Sequence, residues 1–242
     1  MMNASLSPAL QRMNSRFLSP AKPIRHRTFT RLMQRLAGHC ALCGQFTSIR
    51  IPPLEVICQP CHDDLPWKMG DPMDLGFPVQ TALDYLWPVN TIVSALKYQS
   101  RLHVRTVLAH ALLQLPRPDV DALLPVPVST ERLRDRGFDQ VDLVAQVVSE
   151  HWQLPIWRGV GREERQRQQT LNRSARMTNL QGAFYLQPNA LRPATGADAP
   201  LKLLLLDDVL TTGATLKNLA DCLVIHCPDM ELSAYVVASG HQ

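Results

Sequence analysis

Apolar positions along this chain change period several times, and each change marks an element. The run Leu203-Leu204-Leu205-Leu206 is continuously apolar and ends at two adjacent carboxylates, Asp207 and Asp208. Such a run suits a parallel strand buried on both faces. After a small, hydroxyl-rich stretch, apolar residues return at helical spacing: Leu216, Leu219, Ala220, Leu223 and Val224. The pattern predicts a strand, a turn and a crossover helix, and Leu232–Ala238 closes a right-handed βαβ unit. Upstream, a strand is expected over 82–89. Helices are expected over 90–99 and 102–115, with Ile92, Val93 and Leu96, then Val104, Val107, Leu108, Ala111 and Leu112, on their apolar faces. Leu123–Val128 reads as a strand, although Pro125 and Pro127 weaken its ladder. A helix over 139–150 follows, with Val141, Val144, Ala145 and Val148 inside, then short strands near 154–160 and 183–186. Alternating elements of this kind predict an α/β domain over 80–242, with a parallel sheet flanked by helices.

The polar stretches divide the chain. Residues 1–37 carry turn signals and read as a disordered basic tail, a transit peptide or sequence upstream of the true start. Seven of the 25 Lys and Arg lie in the first 35 residues, where there is no acid, which leaves 18 bases against 21 acids. The formal +4 therefore reflects the tail, and a basic nucleic-acid footprint over the whole chain is not indicated. No apolar run approaches the ~20 residues needed to span a bilayer. A Pro/Gly/Asp-rich connection follows residue 66, and residues 188–200 read as a surface connector. Between 161 and 178 the sequence is polar, Arg-rich and without period, which makes it a candidate lid with Arg165, Arg167, Gln168 and Arg176.

The cysteines add a second unit, over 38–66. Cys40-Ala-Leu-Cys43 and Cys58-Gln-Pro-Cys61 are two Cys-x-x-Cys knuckles. Four thiolates so spaced can close a tetrahedral structural Zn²⁺ site. Such a site needs neither His39 nor His62, which are expected to be solvated. Cys222 and Cys227 stand apart and read as small buried residues. Thiolate zinc and the absence of a recognisable signal peptide suit a reducing cytoplasm.

The turn after the acids carries the candidate chemistry. Thr211, Thr212, Gly213, Ala214 and Thr215 offer hydroxyls and convergent backbone N–H groups at a helix start, where a phosphate can be held. Two carboxylates just before it can accept hydrogen bonds from sugar hydroxyls, so the pair suggests a sugar phosphate. A strand ending in an ordinary acidic turn is the alternative. No Gly-x-Gly-x-x-Gly or Gly-Lys-Thr/Ser occurs, so Rossmann and Walker A loops fit worse. Nine Arg and no Lys lie between 132 and 176, and Arg suits bidentate phosphate contact. Lys97 is a further candidate for a phosphate.

Residues 203–215 resemble the phosphoribosyl pyrophosphate (PRPP) signature of type I phosphoribosyltransferases. Further segments narrow the resemblance: Leu96-Lys97-Tyr98, Leu123–Ser129, Arg136-Gly137-Phe138-Asp139-Gln140, and Gln168-Gln169-Thr170-Leu171. With the cysteine knuckles ahead of them, they resemble the ComF/GntX family over residues 39–240. That resemblance implies a type I phosphoribosyltransferase-like fold and a role in bacterial competence or DNA utilisation. It implies ribose held by Asp207 and Asp208, 5′-phosphate by 211–215, and pyrophosphate over Ser129, Arg134, Arg136 and Gly137, with Mg²⁺ bridging the ligand's oxygens. The activity implied is a glycosyltransferase using PRPP, with an acceptor that no residue announces. The alternative is a catalytically silent PRPP sensor or a factor handling single-stranded DNA, with competence-machinery proteins as possible partners. Asp139 stands where the family usually has Asn; a carboxylate facing pyrophosphate would repel it, so Asp139 is expected to cap the next helix.

Overall fold

The computed structural model describes residues 38–46, 51–68, 70–163, 183–187 and 200–240. In chain order the elements are α1 (Gln59–Asp63), β1 (Met73–Asp74), β2 (Pro78–Asp84), α2 (Val89–Gln99), a 3₁₀ turn (Leu102–Val104), α3 (Arg105–Leu112), β3 (Ala122–Pro125), α4 (Thr130–Arg136), α5 (Gln140–Trp152), β4 (Val160–Arg162), β5 (Phe184–Leu186), β6 (Leu201–Leu210), α6 (Ala214–His226) and β7 (Met230–Ser239). The main sheet has the order β1-β2-β7-β6-β3. Its three inner pairings are parallel, and only the two-residue β1 runs antiparallel, at the edge. The fold is thus mixed α/β with a mostly parallel central sheet. β4 and β5 form a separate antiparallel pair.

Side-chain alternation along β6 sets up two cores. Leu204 and Leu206, with Tyr235 and Val237 of β7, pack on one face against α2, α3 and α5. Leu203 and Leu205, with Ala234 and Val236, pack on the other against α6 and the β4–β5 pair. This is why β6 reads as continuous leucine: a central strand covered on both faces has no solvent side to mark with polar residues.

Three boundaries moved from their expected positions. β2 begins four residues earlier than the apolar pattern suggested and ends before Trp87-Pro88. β3 stops at Pro125, which pairs in register with Leu206. Beyond it Val126 still donates its N–H to the Leu206 carbonyl, at 2.8 Å. The expected strand near 154–160 is mostly a connector. It gives two contacts with Leu123, through Pro155 and Trp157, before β4 starts at Val160.

The cysteine module packs on the α2–α3 face. Cys40, Leu42, Ile57, Cys58, Cys61 and Leu65 belong to one continuous buried cluster with Ile92, Val107, Leu108 and Ala111. The chain then lies along the outer edge of β2, with Asp84 N–H donating to the Pro66 carbonyl at 2.8 Å and Lys68 N–H to that of Ala82 at 3.0 Å. Among the described residues no helix is long and apolar enough to cross a membrane.

Candidate functional site

β3 and β6 are neighbours, yet the chain leaves their carboxyl ends toward opposite faces of the sheet. After β3 it passes to α5 on the face with Leu204 and Leu206; after β6 it passes to α6 on the face with Leu203 and Leu205. Such a divergence opens a crevice, which is where open α/β sheets take ligands. β6 runs four residues past the last β3 pairing, so Asp207 and Asp208 lie on the strand itself, beside an open edge.

Successive strand residues face opposite ways, and the two acids differ accordingly. Asp208 is 7% exposed. Its carboxylate meets Lys97 Nζ, from the last turn of α2, at 2.9 and 3.0 Å, and accepts from Gln140 Nε2 at 3.2 Å. Asp207 accepts the Asp208 N–H at 2.8 Å. Burial, then the neighbouring Asp208 charge, push its carboxyl up to about 7, with that hydrogen bond, Lys97 and Arg162 pulling the other way. The two acids thus differ: Asp208 is paired with Lys97, while the carboxyl of Asp207 is pushed up to about 7.

Thr211 and Thr212 are exposed at the crevice mouth, and Gly213 begins α6. Gly213 has φ +74°, and a Cβ there would stand 2.7 Å from Leu75 Cδ1. Both the left-handed backbone and the close approach call for glycine. Thr212 Oγ1 accepts from Ala214 N–H at 3.4 Å, and Thr215 is half-buried in the first turn.

Ser129 to Gly137 is a capped helix rather than an open loop. Ser129 Oγ accepts from Arg132 N–H at 3.4 Å, and Gly137 closes α4 at φ +74°. The helix has no buried residue, so it left no apolar period to read. Arg134 is exposed on it, while Arg136 turns back: its guanidinium donates to Gln140 Oε1 at 2.9 Å and lies 5.1 Å from the Tyr98 ring centroid. Asp139 caps α5 as expected, accepting from Val141 and Asp142 N–H at 2.8 and 3.1 Å, and from Val128 N–H at 3.1 Å. Burial pushes its carboxyl up, and these three N–H groups hold it down. Contacts at the crevice thus join Lys97, Asp208 and, through Gln140, Arg136, with Asp207 beside them; Ser129 follows the carboxyl end of β3 and the 211–215 turn that of β6. Arg165, Arg167, Gln168 and Arg176 lie outside the described residues. Gln140 and Arg162 had no role assigned from sequence; Arg136 ends α4 and Gln140 begins α5, so no helical spacing pairs them.

The second centre is the cysteine cluster. The four thiol sulfurs of Cys40, Cys43, Cys58 and Cys61 lie within 4.8 Å of one another, all buried, with Cys43 and Cys58 at 3.8 Å. Tetrahedral zinc with bonds of ~2.3 Å requires sulfurs about 3.8 Å apart, so the donor set fits a structural zinc. A hydrogen bond from Cys61 lowers Cys40 to about 4, and the same bond pushes Cys61 up. Burial raises Cys58 to about 11. His39 is exposed, as expected, but His62 is not solvated: its ring packs 4.6 Å from Trp67 and 5.8 Å from His110. His110 is fully buried, and burial with nearby His62 lowers it to about 4. Cys222 and Cys227 are half-buried rather than buried.

A groove of about 1320 Å³ runs along α6, lined among others by Leu75, Phe77, Asp221 and Ile225; none of its lining residues falls in 207–213. It is not the crevice described above.

A mixed α/β fold with an acid pair at a strand crevice and a four-thiol centre defines a class, and relatives narrow it. No family model matches the chain. It is 30% identical over 208 residues to a Salmonella typhi protein named DNA utilization protein YhgH, covering 77% of this chain and 84% of the relative. The Escherichia coli K12 protein of the same name is 28% identical over 209 residues, with the same coverage. Competence protein F of Haemophilus influenzae is 27% identical over 151 residues, 57% of this chain and 63% of that one. The chain belongs to the ComF-type family.

Proposed function

We propose that this chain is a PRPP-binding, phosphoribosyltransferase-like protein acting in the cytoplasm in the use of external DNA. The DNA role comes from the names of its relatives. The observation that carries the ligand assignment is the crevice itself. An acid pair on β6 is followed within five residues by a glycine-started helix, with Lys97 and Arg136 closing from α2 and α4. In this reading the 211–215 turn and the start of α6 hold the 5′-phosphate. Asp207 and Asp208 take the ribose hydroxyls from the two faces of the strand. Ser129, Arg134, Arg136 and Gly137 face pyrophosphate, and Lys97 moves from Asp208 to a phosphate oxygen. Mg²⁺ would enter with the ligand. Transfer would break the bond from the anomeric carbon to pyrophosphate and form one to an acceptor nucleophile. Pyrophosphate leaves with the bonding pair, and the acids stabilise the cationic transition state, as in glycoside chemistry.

Calorimetry with PRPP and Mg²⁺ tests this. Charge-assisted hydrogen bonds are worth roughly 1.5–3 kcal/mol, so Asp207→Asn and Asp208→Asn should each weaken binding about tenfold or more. Thr212→Val should act similarly, and Lys217→Ala, exposed on α6, should not. Absence of wild-type binding would refute the assignment.

A second reading is a silent PRPP sensor or a factor handling single-stranded DNA. The exposure of Tyr98, at 73%, favours it, because an open ring beside Lys97 and Arg136 can stack a base. Trp152 and Trp157, by contrast, are buried in the core. Pyrophosphate release with any nucleobase would favour the enzyme; PRPP binding without release, together with DNA binding lost in Tyr98→Ala, would favour the alternative.

A further inference from the structure

Gln140 is 5% exposed at the first turn of α5, and each end of its amide has one charged partner. Oε1 accepts from the Arg136 guanidinium at 2.9 Å; Nε2 donates to Asp208 Oδ2 at 3.2 Å. Chemistry alone fixes this orientation, because a guanidinium can only donate and a carboxylate can only accept. A buried amide between a cation and an anion is polarised by both, and the low dielectric strengthens each bond. Asp208 is therefore oriented from two sides, by Lys97 from α2 and by Gln140 from α5, and Gln140 is in turn oriented by Arg136 from α4. A residue needed only to fill this space would be apolar.

We propose that Gln140 is a positioning residue that couples Arg136 to Asp208. Through it, a guanidinium on the pyrophosphate side governs how Asp208 presents its carboxylate to a sugar. The proposal rests on the sugar-phosphate reading of the crevice. It makes a counterintuitive demand: Arg136 should matter even for a ligand that has no pyrophosphate.

The test uses the full chain and ribose 5-phosphate, measured by calorimetry beside PRPP with Mg²⁺. Pair couplings through shared partners are of the size of about 1 kcal/mol, so Arg136→Ala should weaken ribose 5-phosphate about fivefold in the native background and less than about twofold in Gln140→Met. Equal losses in the two backgrounds, or no loss in the native one, overturn the proposal. If Gln140→Met does not fold, Gln140→Glu serves. It keeps an acceptor for Arg136 but sets two carboxylates together. Relative to wild type at the same pH, since Asp207 and the ligand's phosphate titrate too, binding of ribose 5-phosphate should then fall at neutral pH and recover as the introduced carboxyl protonates and can donate again; a relative loss unchanged by pH overturns the coupling. If the wild type binds neither ligand, the sugar-phosphate reading fails, and the coupling is read from thermal unfolding instead. Arg136→Ala and Asp208→Asn should then be non-additive in the native chain and additive in Gln140→Met, and additivity in the native chain overturns it.

Discussion

Lys97 and Asp208 stand 111 residues apart in the chain and 2.9 Å apart in the fold. Their side chains are 19% and 10% exposed, so the pair is largely withdrawn from water. Removing one member strands the other charge. Lys97→Met is expected to cost about 2 kcal/mol by urea unfolding, less than for a fully buried pair because some solvent reaches the lysine. Lys97→Met with Asp208→Asn should recover much of that loss. A single variant as stable as wild type would contradict the pairing.

The cysteine centre predicts one zinc per chain. Cys61 is fully buried in the cluster shared with α2 and α3. Cys61→Ser should therefore abolish zinc in elemental analysis and also lower the unfolding temperature of the whole chain. A strong chelator should do the same to wild type, since site binding energy is folding energy. Unchanged main unfolding in either case would mean that the module folds apart from the sheet.

Asp207 gives a pH dependence of definite sign. Its folded value is about 7 against an ordinary 3.8. Between these values the folded chain holds a proton that the unfolded chain has lost, so stability contributed by the neutral carboxyl falls as pH rises through the window. Asp207→Asn cannot ionise. Wild type should lose stability relative to Asp207→Asn from about pH 4 to about pH 7, in thermal melts without ligand. His110 works the other way. Its folded value lies near 4 and its ordinary one at 6.5, so it withdraws stability as pH falls between them. A difference between wild type and Asp207→Asn that stays flat with pH would exclude the shift.

Asp139 closes three backbone N–H groups, at Val128, Val141 and Asp142. Asp139→Ala should cost about 1–2 kcal/mol, the range of a lost helix cap. Asp139→Asn should cost less, since an amide oxygen still accepts. Equal losses in equilibrium unfolding would show that charge, not acceptor geometry, is what Asp139 supplies.

The sequence disclosed the elements that bury an apolar face and hid those that do not. β6, α5 and α6 were legible because leucines and valines recur at strand or helix period. α4 was not, because none of its residues is buried and only Ser129 and Gly137, its two caps, mark it. The acid pair and the cysteine knuckles were read directly, since both are local in the chain. What joins Lys97, Arg136, Gln140 and Asp208 is tertiary, and no one-dimensional pattern contains it. His62 looked solvated for the same reason: its neighbours His110 and Trp67 come from the packing of α3 and the β2 edge.

β6 is paired with β7 from Leu201 to Leu210, through and beyond both acids. The negative groups of the crevice are thereby fastened to an inner strand of the sheet. The positive groups hang from helix ends, Lys97 on the last turn of α2 and Arg136 on that of α4. If the crevice holds a sugar phosphate as proposed, accommodation of the ligand falls to the cations, while the carboxylates serve as fixed reference points. Bound and free forms should share one sheet, and the helix ends should record what the crevice holds.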